Sequence, residues 1–357
     1  MILAVRPACV GLLLCSLGAC ADDVTSSGGS GAGGDSTAGP GGGGTSSGGN
    51  GTGAGAMGGS GNAGGAGAAS STGTGATTST GGGPATCEGL AVLAGSVEYT
   101  LLFDGDDRTY TVHTPPGYTA QAGLPVVVVF HGYAETAEQI ETISKMTPET
   151  DARGYIVVYP QGRSTSWNAG GCCGSSSALG VDDVGFVDAM VAEIASNYCV
   201  DQSRLFACGF SNGGMLSHRL ACESSDTFAA VGAVAGTMAI EECTPTRPVP
   251  VMHFHGTSDF VVPYNGGIFG TASVADTVTG WTTRNGCTDS MVSFDQGDAT
   301  CETHGGCSEN ATVTICTLNG GGHQWPGGES AGPGGTINMD IFASEALLDF
   351  FDQHPMN

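Results

Sequence analysis

From residue 97 onward, short apolar and β-branched runs alternate with stretches in which apolar residues recur every three or four positions. The runs at 97–103, 109–114, 125–130, 155–159, 204–208, 230–235, 249–255 and 311–318 predict strands. The middle runs are apolar at successive positions rather than alternating, the pattern of parallel strands covered on both faces. Helices are predicted around 135–145, 183–197, 213–222, 273–283 and 340–351. In the second of these, Val184, Val187, Met190, Val191 and Ile194 share one face, and Asp182 and Asp183 stand where a helix N-cap belongs. Strands that alternate with helices predict an α/β fold, a doubly wound and mostly parallel sheet. Ligands should then meet the loops at the carboxyl ends of the strands.

Composition divides the chain into three parts. Residues 1–20, with Arg6 ahead of the apolar run 10–17, read as a secretory signal too short to span a bilayer as a mature helix. Leu17-Gly18-Ala19-Cys20 has the form of a bacterial lipoprotein box, in which Cys20 becomes the lipid-bearing N-terminus. A plain signal peptide cut at a small residue, followed by release, is the alternative. Residues 21–86 hold 26 glycines in 66 positions and almost no large apolar side chain, so they are expected to be a disordered tether. A Gly/Ser coil of that length reaches about 45 Å root-mean-square, enough to hold a domain clear of a cell surface. The expectation is a secreted protein that is lipid-anchored at the bacterial cell surface or outer membrane and meets the membrane only through Cys20.

Residues 87–357 are long enough for one large domain. Without Arg6 and the tether acids Asp22, Asp23 and Asp35, the chain's 9 basic and 34 acidic residues fall to 8 and 31, a net charge of −23. That sign argues against nucleic acid and anionic membrane surfaces as partners and mildly disfavours polyanionic substrates, while solubility is the plainer reading of the acidity. Eleven cysteines lie in this part, which behind a secretory signal read as a disulfide framework in an oxidising compartment. An odd number leaves at least one thiol unpaired, and Cys208, in a strand leading to a turn, is the expected one. None of the cysteine spacings matches a zinc finger or ribbon.

The run 204–208 passes into Gly209-Phe210-Ser211-Asn212-Gly213 and at once into a helical stretch. Gly-x-Ser-x-Gly in that setting is a strand-to-helix elbow that lifts a serine hydroxyl out of the sheet as a nucleophile. The elbow needs positive φ near the serine and no side chains where strand and helix crowd together. Such a serine requires a base, an orienting carboxylate and donors for an oxyanion. Each has a candidate just past a predicted strand, in the chain order Ser, Asp, His. Asp259 ends His255-Gly256-Thr257-Ser258-Asp259, and His323 lies in the glycine-rich loop 320–327. After 126–130 comes His131-Gly132-Tyr133, where the Tyr133 amide, aided by that of Gly132, would join the Asn212 amide in facing the oxyanion. Singly, each has a plainer reading: Asp259 bonding its own turn, His323 an ordinary loop histidine. His253 and His255 share a strand face, but no acidic or cysteine partner at useful spacing supports a metal pair. Three loops in the right order, each after an apolar strand, are what argue for chemistry.

Several motifs together carry a resemblance. They are His131-Gly132-Tyr133-Ala134-Glu135-Thr136, Tyr159-Pro160-Gln161-Gly162, Trp167-Asn168 with Cys172-Cys173-Gly174, and Val181-Asp182-Asp183-Val184-Gly185-Phe186. Three more are the segments 209–215, 255–259 and 322–327. In this ordered set the chain resembles the polyhydroxybutyrate depolymerase and feruloyl esterase family of secreted α/β-hydrolases, over nearly all of 95–353. The resemblance implies Ser211, Asp259 and His323 as a triad, agreeing with the reading of the residues themselves. It also implies a disulfide that involves the Cys172-Cys173 pair, with Cys199 as a partner. The acidic segment Asp104-Gly105-Asp106-Asp107-Arg108 departs from the pattern and reads as a hairpin turn, with a cation site as the alternative.

The expected activity is serine-dependent ester hydrolysis with no metal or organic cofactor, carried out by a monomer. Feruloyl or acetyl esters on xylan and polyhydroxyalkanoate polyester fit as substrates. Trp167 and Trp325 either contact an aromatic acyl group or sugar, or simply pack. A peptidase on the same fold and a non-catalytic surface-binding lipoprotein are the alternatives.

Overall fold

The computed structural model describes residues 87, 90, 92–267 and 270–356. The expected signal segment, Cys20 and the tether lie outside the described residues. Ten strands occur among the described residues: β1 (Gly95–Phe103), β2 (Asp106–Thr114), β3 (Leu124–Phe130), β4 (Ile156–Pro160), β5 (Val200–Phe210), β6 (Ala230–Val234), β7 (Val251–Gly256), β8 (Asp289–Gln296), β9 (Ala299–Gly305) and β10 (Val313–Leu318). The helices are α1 (Ala137–Ser144), α2 (Met146–Arg153), α3 (Gly174–Leu179), α4 (Asp183–Asn197), α5 (Asn212–Glu223), α6 (Val274–Asn285) and α7 (Ala343–Asp352).

All ten strands join one sheet in the order β1-β2-β4-β3-β5-β6-β7-β10-β9-β8. The central strands from β4 to β10 pair in parallel, with β1–β2 and β8–β9 added antiparallel at the two edges. The fold is therefore the doubly wound, mostly parallel α/β sheet expected. Burial follows position. In β3 every residue after Leu124 is buried, because helices cover both faces of the sheet there. Ile140, Ile143 and Met146 of α1 and α2, with Leu347, Leu348 and Phe351 of α7, close one face over Val127, Val129 and Phe206. Phe186, Val187 and Met190 of α4, Leu216 and Leu220 of α5 and Trp281 of α6 close the other over Val126 and Val128. Each such large side chain taken from water contributes roughly 1.5–3 kcal/mol before chain entropy is counted.

Four elements escaped the sequence pattern, for physical reasons. All but one of the β8 side chains are exposed, and β9 is only partly buried, so this edge hairpin shows no apolar run. Helix α3, Gly-Ser-Ser-Ser-Ala-Leu, has no apolar stripe, and α2 buries only Met146 and Thr150. The turn at Asp104-Gly105 joins β1 to β2 as an antiparallel hairpin. At α4 the two aspartates divide the work. Asp182 accepts a hydrogen bond from the Gly185 amide at 2.9 Å and caps the helix. Asp183 turns inward to a buried ion pair with Arg108 at 2.7 Å, and the guanidinium lies 3.9 Å from the Phe186 ring centroid.

Ten of the cysteines form disulfides: Cys87–Cys199, Cys172–Cys173, Cys222–Cys243, Cys287–Cys307 and Cys301–Cys316. Cys208 is free and buried, the thiol singled out from sequence. Cys199 corrects an expectation. It stands just before β5 and bonds to Cys87 ahead of β1, while Cys172 and Cys173 bond to each other. Five disulfides fit an oxidising, extracellular compartment.

The chain leaves β3 toward α1 on one face and β5 toward α5 on the other. A crevice therefore opens at the carboxyl ends of these neighbouring strands, where the connections part.

Candidate active site

Strand β5 ends at Phe210 and α5 begins at Asn212, so the whole reversal falls on Ser211, with φ 53° and ψ −116°. An L-residue in that region is strained by about 1–3 kcal/mol and persists only when its surroundings hold it. Here the Ser211 amide donates to the Val234 carbonyl at 2.8 Å, and the Ser211 carbonyl accepts from Met215 at 2.9 Å. The flanking glycines serve packing. A Cβ on Gly209 would stand 2.5 Å from the Gly213 carbonyl carbon, and one on Gly213 would overlap the Phe130 carbonyl oxygen. The positive φ thus belongs to the serine itself, and the glycines supply the closeness of helix to strand.

Strand β7 delivers Asp259 and β10 delivers His323 to the same edge of the sheet. His323 Nδ1 donates to Asp259 Oδ2 at 2.7 Å, and the Val261 and Val262 amides donate to Oδ1, each at 2.8 Å. Both side chains are nearly buried. The imidazole lies against the Phe210 ring, with centroids 4.8 Å apart, which sets it beside the elbow. The structure brings Asp259 and His323 into contact, but it shows no hydrogen bond between His323 and the Ser211 hydroxyl among the described residues. Hydrogen bonds of this kind are often long in ligand-free structures and tighten around substrate.

After β3, the segment 131–135 forms a rigid loop. His131 is fully buried; its Nδ1 donates to the Gly132 carbonyl at 2.7 Å, and its Nε2 accepts from the Gly162 amide at 2.9 Å. Burial pushes its pKa down to about 4, with the bond to the Gly132 carbonyl opposing, so it is neutral. The Gly132 amide is occupied by Glu135 Oε2 at 2.7 Å, which removes it from the oxyanion set proposed from sequence. The Tyr133 and Asn212 amides donate to no acceptor found among the described residues. Asn212 is fixed through its side chain, accepting from the Trp167 amide at 2.7 Å and donating to its carbonyl at 3.0 Å. Glu135, quoted in a motif but given no role, carries a carboxyl raised by burial, while the Gly132 amide and the field of His323 pull the other way.

Trp167 and Trp325 are both fully buried, which favours packing over contact with substrate and corrects the latter reading. Trp167 Nε1 donates to the His131 carbonyl at 3.0 Å, and Trp325 Nε1 donates to Ser344 Oγ at 3.1 Å. Each indole packs and braces a loop. The exposed aromatic side chains in these loops are Tyr133, at 56 %, and Phe260, at 65 %, directly after Asp259. A cavity of about 650 Å³ opens beside Tyr133 and Glu135, bounded across by Ser330 and Gly332. His253 and His255 hydrogen-bond to each other at 3.0 Å, and no cluster of three or more metal-ligating side chains occurs among the described residues.

Residues 108–273 match the family model described as "Esterase PHB depolymerase". The chain is 33% identical over 233 residues to "Feruloyl esterase B" of Piromyces equi, covering 60% of this chain and 42% of that one. It is also 33% identical over 251 residues to the "Putative esterase NocK" of Nocardia uniformis subsp. tsuyamanensis, covering 63% and 72%. The chain thus spans well under two thirds of the Piromyces protein. Among solved structures, an acetyl xylan esterase from Aspergillus awamori superposes with a TM-score of 0.52 at 17% identity, over 72% of this chain and 99% of that one. That likeness bears on the fold.

Proposed function

Because this chain belongs to the polyhydroxybutyrate depolymerase and feruloyl esterase family of α/β-hydrolases, we propose that it is a serine esterase with Ser211, His323 and Asp259 as its triad. The observation that carries this reading is the 2.7 Å bond from His323 to Asp259, set beside a strained serine at the mouth of the sheet. His323 takes the Ser211 proton through Nε2 as the hydroxyl attacks the ester carbonyl. Asp259 holds the proton on Nδ1 and stabilises the imidazolium that forms. The free Tyr133 and Asn212 amides receive the oxyanion; losing one such donor typically costs about 3 kcal/mol. The alcohol departs with a proton from His323. Water, activated by the same ring, then releases the acid and regenerates the serine. Every group this sequence requires is an amino-acid side chain or a backbone amide.

The substrate is an ester on an extracellular polymer, of the feruloyl or acetyl xylan kind or a polyhydroxyalkanoate. The names of the relatives support an ester, and the net charge of −25 supports an uncharged one. Tyr133 and Phe260, rather than the tryptophans, are the aromatic surfaces offered to it. We further propose that Cys20 carries a lipid anchor and that the tether sets the domain away from the membrane.

Ser211→Ala tests the mechanism: turnover of p-nitrophenyl acetate should disappear, and survival of that turnover overturns it. A panel of methyl ferulate, acetylated xylan and hydroxybutyrate oligomers identifies the acyl group. Cleavage of a prolyl amide but of no ester would make the protein a peptidase instead. Cys20→Ala should release the protein to the medium.

A further inference from the structure

Three buried histidines take no part in the reaction above, yet they stand in line with its carboxylate. His218 lies on α5, His253 and His255 on β7, and Trp281 on α6; all four are at most 1 % exposed. Trp281 Nε1 is 3.1 Å from His218 Nδ1, His218 Nε2 is 3.2 Å from His253 Nδ1, and His253 Nε2 is 3.0 Å from His255 Nδ1. His255 Nε2 then lies 2.8 Å from the Val262 carbonyl and 3.4 Å from Asp259 Oδ2. The rings stack, with His253 and His255 inclined by 5° and His218 and His253 by 21°.

The two ends fix the direction of every bond between them. An indole nitrogen only donates, and a carbonyl oxygen only accepts. His218 must therefore accept at Nδ1 and donate from Nε2, and the same holds in turn for His253 and His255. A proton added to any of the three would set two N–H groups face to face. Burial makes all three hard to protonate, lowering His218 to about 3. The column is not a path for protons, because the indole has no lone pair to receive one. Nor is it a poised metal cluster, because all six ring nitrogens already have hydrogen-bond partners, with the Gly236 backbone also bonded to His218.

What the column delivers is an oriented N–H at the catalytic turn. Val262 is held on both sides: its amide donates to Asp259 Oδ1, and its carbonyl accepts from His255. Each donor in a chain of hydrogen bonds polarises the next, which strengthens the last one. With the proton on Nδ1 instead, His255 would turn a lone pair toward both the Val262 carbonyl and the Asp259 carboxylate, and the turn would be repelled.

We propose that Trp281, His218, His253 and His255 are positioning residues, a one-directional hydrogen-bond column that holds Asp259 in register with His323. The inference rests on the triad reading, so its test includes signals that do not depend on turnover. In the full-length protein with isotope-labelled histidine, ring couplings read by NMR should show Nε2–H at all three positions at neutral pH. Trp281→Phe keeps the packing and removes the first donor. It leaves the Val262 carbonyl as the single end that fixes direction, so it should weaken the preference for Nε2–H, most at His218, broaden the low-field proton resonance between His323 and Asp259, and lower kcat about fivefold while KM stays within about twofold. His253→Gln, whose amide can accept from His218 and donate to His255, should keep most of kcat, whereas His253→Met should lose it to the same degree as Trp281→Phe. Mixed tautomers in the unmodified protein overturn the proposal. So does a Trp281→Phe protein with mixed tautomers, an unchanged low-field resonance and unchanged kcat, or equal kcat in the two His253 variants. If Ser211→Ala retains turnover, the esterase reading fails, and the tautomers and the low-field resonance still decide the column.

Discussion

His323 Nδ1 and Asp259 Oδ2 meet at 2.7 Å although 64 positions separate them in the chain. The contact exists because β7 and β10 are hydrogen-bonded neighbours in parallel register, which carries both following loops to one edge of the sheet. Asp259→Asn keeps an oxygen for the Val261 and Val262 amides, so the turn should survive. It loses the charge that holds the imidazole tautomer. We expect kcat to fall about 10³–10⁴-fold with KM little changed, as read by steady-state kinetics on a chromogenic ester.

Glu135 ties the loop after β3, which carries the proposed oxyanion donor Tyr133, through the Gly132 amide. In Glu135→Ala that amide is left without its partner and the Tyr133 amide loses its fixed direction. The expected loss is about tenfold in kcat. Glu135→Gln, which can still accept from Gly132, should recover most of it. Equal losses in the two variants would assign the effect to charge near His323 rather than to the loop.

Gly213→Ala sets two effects against each other. Alanine gains about 1 kcal/mol of helix propensity over glycine. Its methyl group, however, would overlap the carbonyl oxygen of Phe130, a strand end that cannot move aside. Overpacking of this kind costs about 1–3 kcal/mol or more, so the clash wins and the urea midpoint should drop.

Acid should weaken the fold through its buried histidines. Burial lowers His131 to about 4 and His218 to about 3 from an ordinary 6.5, and it lowers His253 and His255 as well. Above about pH 6.5 neither the folded nor the unfolded form is protonated, and their contribution is full. As pH falls below that, the unfolded chain takes up protons that the folded one refuses, and stability declines. For His131 alone the loss reaches roughly 3 kcal/mol by about pH 4. Asp183 and Asp188, raised by burial, act in the opposite sense at the acid end of this window. Urea unfolding between pH 7 and pH 4 should show net proton uptake on unfolding; stability that is flat or rises toward pH 4 would contradict this.

Cys208 is completely buried, and burial pushes its thiol pKa up. A thiol reagent should modify Cys208 only after denaturation, as read by peptide mapping. Reaction in the native protein would show that the end of β5 opens.

Much of the site was legible because its parts are local. The run into Ser211, the turn after Asp259 and the glycines around His323 each sit just past a strand that must be buried, and burial writes itself as consecutive apolar residues. Helix α4 was legible to the residue for the same reason, since its apolar face repeats at helical spacing over a capped start. The hairpin β8–β9 was not, because a solvated edge places no demand on hydrophobicity.

By itself the sequence determined the order of the strands and helices other than β8, β9, α2 and α3, the elbow, the three loops that can bring a nucleophile, a base and a carboxylate to one edge, and the unpaired Cys208. Local pattern suffices for these, since turn chemistry and the alternation of burial act over a few neighbouring residues. Only the tertiary structure decided that Cys199 bonds to Cys87, that both tryptophans are packed inside, that Glu135 occupies the Gly132 amide, and that Trp281 and three histidines line up behind Asp259. Those relationships join side chains from separate elements, and which of them meet is set by sheet order and helix placement, a property of the whole chain that no local stretch encodes.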